Sequence, residues 1–167
     1  MSDINVYTGP MKCGKTQKIL DQARRLEIAG KNVAVFKPQI DNRFGEGQIV
    51  SRNGNVIKSI DIKEISDIEN YNADVYLIDE FQFLNGDISS IRKLSEKGKK
   101  FYISGLNLTA ERKPFGKMGD LLCVADNVEM LTAICEICKE DNAVYSYFKG
   151  GKSEEIVVGD SRIYPNM

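Results

Sequence analysis

The stretch VYTGPMKCGKTQKIL, Val6 to Leu20, decides how the rest of the chain is read. Gly9, Gly14, Lys15 and Thr16 satisfy the spacing Gly-x4-Gly-Lys-Ser/Thr. The β-rich run Ile4 to Gly9 precedes the pattern, and an amphipathic run closed by Gly30 follows it, with Ile19, Leu20, Ala23, Leu26 and Ile28 approximating one helical stripe. That strand, loop and helix context is what a phosphate-binding loop requires. Glycines let the backbone turn its amides inward, and the helix N-terminus adds positive potential. Lys15 reaches β- and γ-oxygens, and the Thr16 hydroxyl ligates Mg²⁺. Met11 lies inside the same loop, and Cys13 reads as a small spacer. A loop of this kind also needs a carboxylate at the end of a neighbouring strand. Asp79, closing the apolar run VYLID, fits that second Mg²⁺-side position. Glu80 follows at once, and because successive strand residues point in different directions it faces whatever lies beyond the γ-phosphate.

Working outward, apolar runs and amphipathic stretches alternate. NVAVFKP, DVYLIDE and KFYISGLN read as buried strands, whereas IKEISDIENYN, DISSIRKLSEKG and MGDLLCVADN read as helices. The segment Asp41 to Asn55 is polar and Gly-rich, a long loop or a hairpin. Strands and helices in alternation predict an α/β fold, a three-layer P-loop core around a mainly parallel sheet. After Thr132 the pattern changes to CEIC, NAVYSYF and EEIVVGD, a small appendage of strands. The expected division is a nucleotide-binding domain over 1–132 and a small β domain over 133–167.

The composition narrows the chemistry. The 167 residues carry 23 Lys and Arg against 24 Asp and Glu, a net charge of -1, and 42% are apolar, as in a globular protein with no nucleic-acid surface. No apolar run reaches membrane-spanning length and the N-terminus shows no secretory pattern, so the expectation is a cytoplasmic protein without membrane partners. There is no histidine, so a general base must be a carboxylate, lysine, tyrosine or thiolate. Cys13, Cys123, Cys135 and Cys138 do not form a secreted disulfide framework.

TGPMKCGKT, AVFKPQIDNRFGEG, LIDEFQF, GLN with KPFGKM, LTAICEIC and VVGDSRIY occur in this order, and together they resemble the cellular and viral type II thymidine kinase family over nearly the whole chain. The resemblance implies transfer of the γ-phosphoryl of ATP to the 5′-hydroxyl of thymidine with Mg²⁺, on a P-loop core bearing a small zinc-containing lasso domain. It implies Glu80 as general base, Asp79 as the metal-side carboxylate, and Asp41 and Arg43 in the active site beside Lys15. It implies a thymidine pocket of Met11, Phe83, Leu106 and Phe115. The lasso would hold the base through the backbone of Val157, Val158 and Gly159, with Val157 and Tyr164 packing on the thymine and Ser146 near its methyl group. A homotetramer and feedback by thymidine triphosphate are also implied. Without the resemblance, Phe83, Leu106 and Phe115 read equally as core, and DNRFGEG as an Asx-type turn.

Some positions depart from the family pattern. Asn107 stands where Asp is common, Ala110 replaces an aromatic, Arg52 replaces a histidine, and Lys12 and Cys13 replace Phe and Ser. A kinase with broader nucleoside selectivity, or a P-loop ATPase, therefore stays open as an alternative. Cys135 and Cys138 form a single CxxC, half of a zinc site. In the family a second pair follows the lasso tyrosine, whereas here the sequence reads YPNM.

Overall fold

The computed structural model describes residues 3–41 and 45–148, and the backbone of 163–166. In chain order the elements are β1 (Asp3–Thr8), α1 (Lys15–Ile28), β2 (Val33–Pro38), β3 (Gln48–Val50), β4 (Val56–Lys58), β5 (Ile60–Ile62), β6 (Val75–Ile78), α2 (Ser89–Glu96), β7 (Lys100–Gly105), α3 (Met118–Val124), β8 (Asn127–Met130), β9 (Ala133–Ile134), β10 (Asp141–Ala143), β11 (Tyr145–Phe148) and β12 (Ile163–Asn166). Short 3-10 turns occupy Ile65–Asn70 and Phe81–Phe83.

Six strands form the central sheet in the order β5-β2-β6-β7-β1-β8, every neighbouring pair parallel. A parallel sheet needs covering on both faces, and the sequence supplies it. All four residues of β6 are buried, with Val75 and Leu77 packing towards Ile19, Leu20 and Ala23 of α1. Tyr76 and Ile78 face the opposite cluster, which includes Ile91, Met118 and Leu121 from α2 and α3. The Tyr76 hydroxyl, carried inward with its ring, donates to the Tyr71 carbonyl at 2.6 Å. The expected three-layer α/β core is therefore present.

Parallel strands put all their carboxyl ends on one edge. β1 leads into Gly9, β6 into Asp79 and Glu80, β7 into Leu106, and β2 towards Asp41. β1 and β2 are separated in the sheet by β6 and β7. No helix among the described residues is long and apolar enough to cross a membrane.

The elements differ from expectation where local signals were weak. IKEISDIENYN was expected to be a helix, but Ile62 completes the short strand β5 and only Ile65–Asn70 coils, as a 3-10 turn. Glu64 and Asp67 close that turn with a reciprocal capping box. Within the segment Asp41 to Asn55, read as a long loop or a hairpin, residues 48–50 form β3, which pairs antiparallel with β4 just beyond it, and Ile49 packs with residues of α1. Strand β8 was not anticipated. All four of its residues are exposed at the sheet edge, so it offers no apolar run to read. NAVYSYF divides between two sheets, Ala143 pairing with β9 and Tyr145 onward with β12. EEIVVGD, expected as a strand, lies outside the described residues.

Candidate active site

The Gly9–Thr16 loop owes its shape to close approach. Gly9 has φ +144°, and a Cβ there would collide with the Leu131 carbonyl, which the backbone brings in from the end of β8. Gly14, at φ +89°, caps α1 without a side-chain hydrogen bond, leaving the amides of the first turn to a ligand. Lys15 is buried and its Nζ donates to the Pro10 carbonyl at 2.6 Å, with Cys13 Sγ 3.4 Å away. The ammonium is thus folded onto the loop that carries it, held by a neutral acceptor.

The loop leans on the C-terminal strands. The Met11 amide donates to Ser146 Oγ at 2.8 Å, Lys12 pairs with Glu136 at 3.0 Å, and Cys13 packs against Ala133, Cys135 and Ala143. Ser146, expected near a thymine methyl, ties β11 to the loop through this bond.

Opposite Lys15 stands a group of carboxylates. Thr16 Oγ1 donates to Asp79 Oδ2 at 2.9 Å, and the Ser104 hydroxyl donates to Oδ1 from the next strand. Asp79 is buried, and desolvation raises its pKa to about 6, with the negative charges of Glu80 and Asp41 adding to the rise and the two hydroxyls opposing it. Asp41 is itself buried at the end of β2. The Thr16 hydroxyl and the Asp79 carboxylate are hard oxygen donors of the kind a divalent cation takes. Thr16 and Asp79 fit Mg²⁺ as its direct protein contacts.

The raised pKa makes a stability prediction. Folded Asp79 holds its proton up to about pH 6, against 3.8 ordinarily. The folded state therefore binds more protons than the unfolded state in this window. Stability contributed by the group is present below pH 3.8 and falls as pH rises to about 6, a cost on the order of 3 kcal/mol above it. Asp79→Asn should consequently raise the unfolding midpoint of the ligand-free protein at pH 8 by about 5–10 °C, with the difference shrinking towards pH 5. Thermal scans at the two pH values measure this, and a variant less stable than the parent at pH 8 would refute it.

Glu80 adopts the left-handed region at φ 53°, a conformation that costs a non-glycine residue about 1–2 kcal/mol. Such strain concentrates at functional sites because the surrounding structure must enforce it. Gln82 supplies one constraint, donating from Nε2 to Glu80 Oε2. Met11, Leu106 and Phe115 meet in one buried cluster with Phe83 and Phe148 against it, and the Phe83 and Phe115 rings cross edge to face at 5.5 Å. Four of the expected pocket residues are therefore brought together in one cluster. Arg43, Val157, Val158 and Gly159 lie outside the described residues, and Tyr164 is placed only by its backbone pairing with Tyr147.

Sequence reasoning missed Lys37, Ser104 and Gln82. Lys37 is almost wholly buried and donates to the carbonyls of Asp41 at 2.8 Å and Gly45 at 2.7 Å, with Asp61 3.9 Å away. It thereby closes the base of the segment that contains Arg43. The signal available was a lysine inside an otherwise apolar strand, which must have a partner.

Cys135 is buried and Cys138 exposed at the β9–β10 turn, where the Ile137 amide points at Cys135 Sγ from 3.4 Å. Among the described residues no group of three His, Cys, Asp or Glu side chains could hold a metal, and Cys123 is exposed on α3. The CxxC pair, expected as half of a zinc site, is thus joined by no further ligands among the described residues.

Comparison with known proteins agrees with this arrangement. The thymidine kinase family model matches residues 2–167. A thymidine kinase of Mycoplasma mobile is 35% identical over 165 residues, spanning 96% of this chain and 82% of that protein. A match over this length, on a sheet whose carboxyl edge gathers Lys15, Thr16, Asp79 and Glu80, shows that the chain belongs to the thymidine kinase family of ATP-dependent phosphotransferases.

Proposed function

We propose that the protein transfers the γ-phosphoryl of ATP to the 5′-hydroxyl of thymidine, producing dTMP for nucleotide salvage, with the chemistry carried by Lys15 and Glu80. The observation that supports this most directly is the placement of a lysine-bearing glycine loop and the Asp79–Glu80 carboxylates on one sheet edge, next to an aromatic and aliphatic cluster.

Phosphoryl transfer asks little covalent chemistry of a protein and much positioning. The loop amides and Lys15 cradle the triphosphate of ATP. Lys15 leaves the Pro10 carbonyl for the β- and γ-oxygens, a charged acceptor in place of a neutral one. Glu80 orients the sugar hydroxyl and accepts its proton late in the transfer, which fits a chain with no histidine. Asp41 and Arg43 complete the polar side of the site, Arg43 near the phosphates. When bound at Thr16 and Asp79, Mg²⁺ supplies charge neutralisation between the phosphate oxygens.

The cluster of Met11, Phe83, Leu106 and Phe115 forms the apolar wall for the thymidine. In this reading Val157, Val158 and Gly159 address the pairing edge of the base through backbone groups, Tyr164 packs on it, and Ser146 approaches the methyl group. Residues 133–167 act as the lasso domain on the 1–132 core. A homotetramer and inhibition by thymidine triphosphate belong to the same reading.

Asn107 and Ala110 raise the question of selectivity, so the test is a panel. With γ-labelled ATP, the label should appear in thymidine monophosphate at least tenfold faster than in products of deoxycytidine, with deoxyuridine between them. ATP turnover unchanged by any nucleoside would overturn the reading.

A further inference from the structure

We propose that Gln82 is a positioning residue for phosphoryl transfer, holding the Glu80 carboxylate in its working orientation through its side-chain amide. The inference rests on the reading of Glu80 as the group that receives the acceptor's proton.

Gln82 sits in the 3-10 turn immediately after Glu80 and is only 3% exposed. Its Oε1 accepts the backbone N–H of Leu106 at 3.0 Å. A backbone N–H can only donate, so the oxygen must lie at that end of the amide. Nε2 then faces Glu80 and can only donate to it. The amide orientation is fixed by a partner 24 residues away, and Glu80 receives the consequence.

The surroundings leave this amide little room. A Cβ on Gly105 would stand 2.9 Å from Gln82 Oε1 and 2.6 Å from Met118 Sδ. A Cβ on Gly116 would strike the Gln82 carbonyl. Two glycines thus admit the close approach of β7 and the following loop to one glutamine. Gln82 is buried while Glu80 is half-buried, so the donor is screened from water on its own side of the bond.

Glu80 needs such a constraint. Its left-handed backbone removes it from the direction set by β6, and the Gln82 donor holds one of its carboxylate oxygens. Leu106, whose amide anchors Gln82, also belongs to the Met11 and Phe115 cluster. Gln82 therefore links the proton acceptor to the wall of the nucleoside pocket. The link meets the glycine loop where Leu106 packs with Met11 and not at Lys15, so its loss should appear in kcat more than in the KM for ATP.

The test is a double-mutant cycle on the full chain, with Gln82→Met and Gln82→Glu made alone and in combination with Glu80→Gln. Met removes both hydrogen bonds at similar volume. Glu keeps an acceptor for Leu106 and replaces the donor to Glu80 by a second carboxylate that repels it, so it carries the test if the Met variant fails to fold. Each single Gln82 variant should lose about 10- to 100-fold in kcat, the effect of a misplacement of about 1 Å, with the KM for ATP within about twofold. In the Glu80→Gln background each should cost less than about twofold, because the group being positioned is already inactive. An equal penalty in both backgrounds would overturn the proposal, as would single variants with unchanged kcat. If Glu80→Gln itself keeps its turnover, the reading of Glu80 fails and the proposal with it. An inactive Glu80→Gln beside fully active Gln82 variants defeats the proposal alone.

Discussion

Replacing Glu80 by Gln is expected to leave ATP binding intact and to lower kcat by about two to four orders of magnitude, the range for removal of a general base. The substitution keeps the volume and one oxygen, so packing around Gln82 and the β6 end should survive. It removes the acceptor for the hydroxyl proton. It also lessens the negative charge that helps raise the pKa of Asp79. The sugar hydroxyl would then attack without a carboxylate to orient it, and both the orientation and the late proton transfer would be lost. Steady-state kinetics combined with a nucleotide-binding assay separate the two effects. Turnover within about threefold of the parent would remove Glu80 from the chemistry.

The second large effect is expected at Lys15. Lys15→Met should lower kcat/KM for ATP by about 10²–10³-fold, the loss that follows removal of one preorganised donor from a developing negative charge. The side chain is only 8% exposed, and its ammonium rests on the Pro10 carbonyl at 2.6 Å. Met retains most of the stem, so the fold should be little affected and the unfolding midpoint should stay within a few degrees. Arg does not rescue such a site, since its planar fork cannot occupy the space of a point charge between Pro10 and Cys13. Equal kcat/KM in parent and Met variant would show that the loop does not bind the triphosphate through this lysine.

These two residues were legible in the sequence for a shared reason. The demands of a polyphosphate cradle are met by neighbours in the chain, so Gly9, Gly14, Lys15 and Thr16 announce themselves by spacing alone. Asp79 and Glu80 announce themselves by ending a buried apolar run with two carboxylates. Buried strands were equally plain, because β6 must be apolar on both faces in a covered parallel sheet.

What stayed hidden depends on partners remote in the chain. Gln82 in the sequence is one polar residue between two phenylalanines, and its importance lies in Leu106 and in the glycines that crowd it. Lys37 is meaningful only once Asp41, Gly45 and Asp61 fold over its end. Strand β8 was missed because an edge strand with four exposed residues carries no periodic apolar signal, and its role is to bring the Leu131 carbonyl against Gly9. The 3-10 turn at Ile65–Asn70 was read as a helix from its composition, but β5 and the capping box leave it only one short coil.

The left-handed Glu80 connects these observations. A residue in that conformation ends β6 abruptly and turns the chain into the Phe81–Phe83 coil, which places Gln82 behind the carboxylate and Phe83 in the pocket cluster. One unfavourable backbone conformation thereby places the Glu80 carboxylate and the amide that donates to it, and sets Phe83 against the apolar cluster. The cost, about 1–2 kcal/mol, is small beside the buried core that enforces it.

The most direct measurement is a crystal structure of the protein with thymidine and a non-hydrolysable ATP analogue. The account predicts the thymidine 5′-oxygen about 2.6–3.2 Å from a Glu80 carboxylate oxygen, with Gln82 Nε2 on the other carboxylate oxygen and Lys15 Nζ moved from Pro10 to the β- and γ-phosphates. A bound nucleoside whose hydroxyl faces away from Glu80, with Lys15 still on the Pro10 carbonyl, would contradict it.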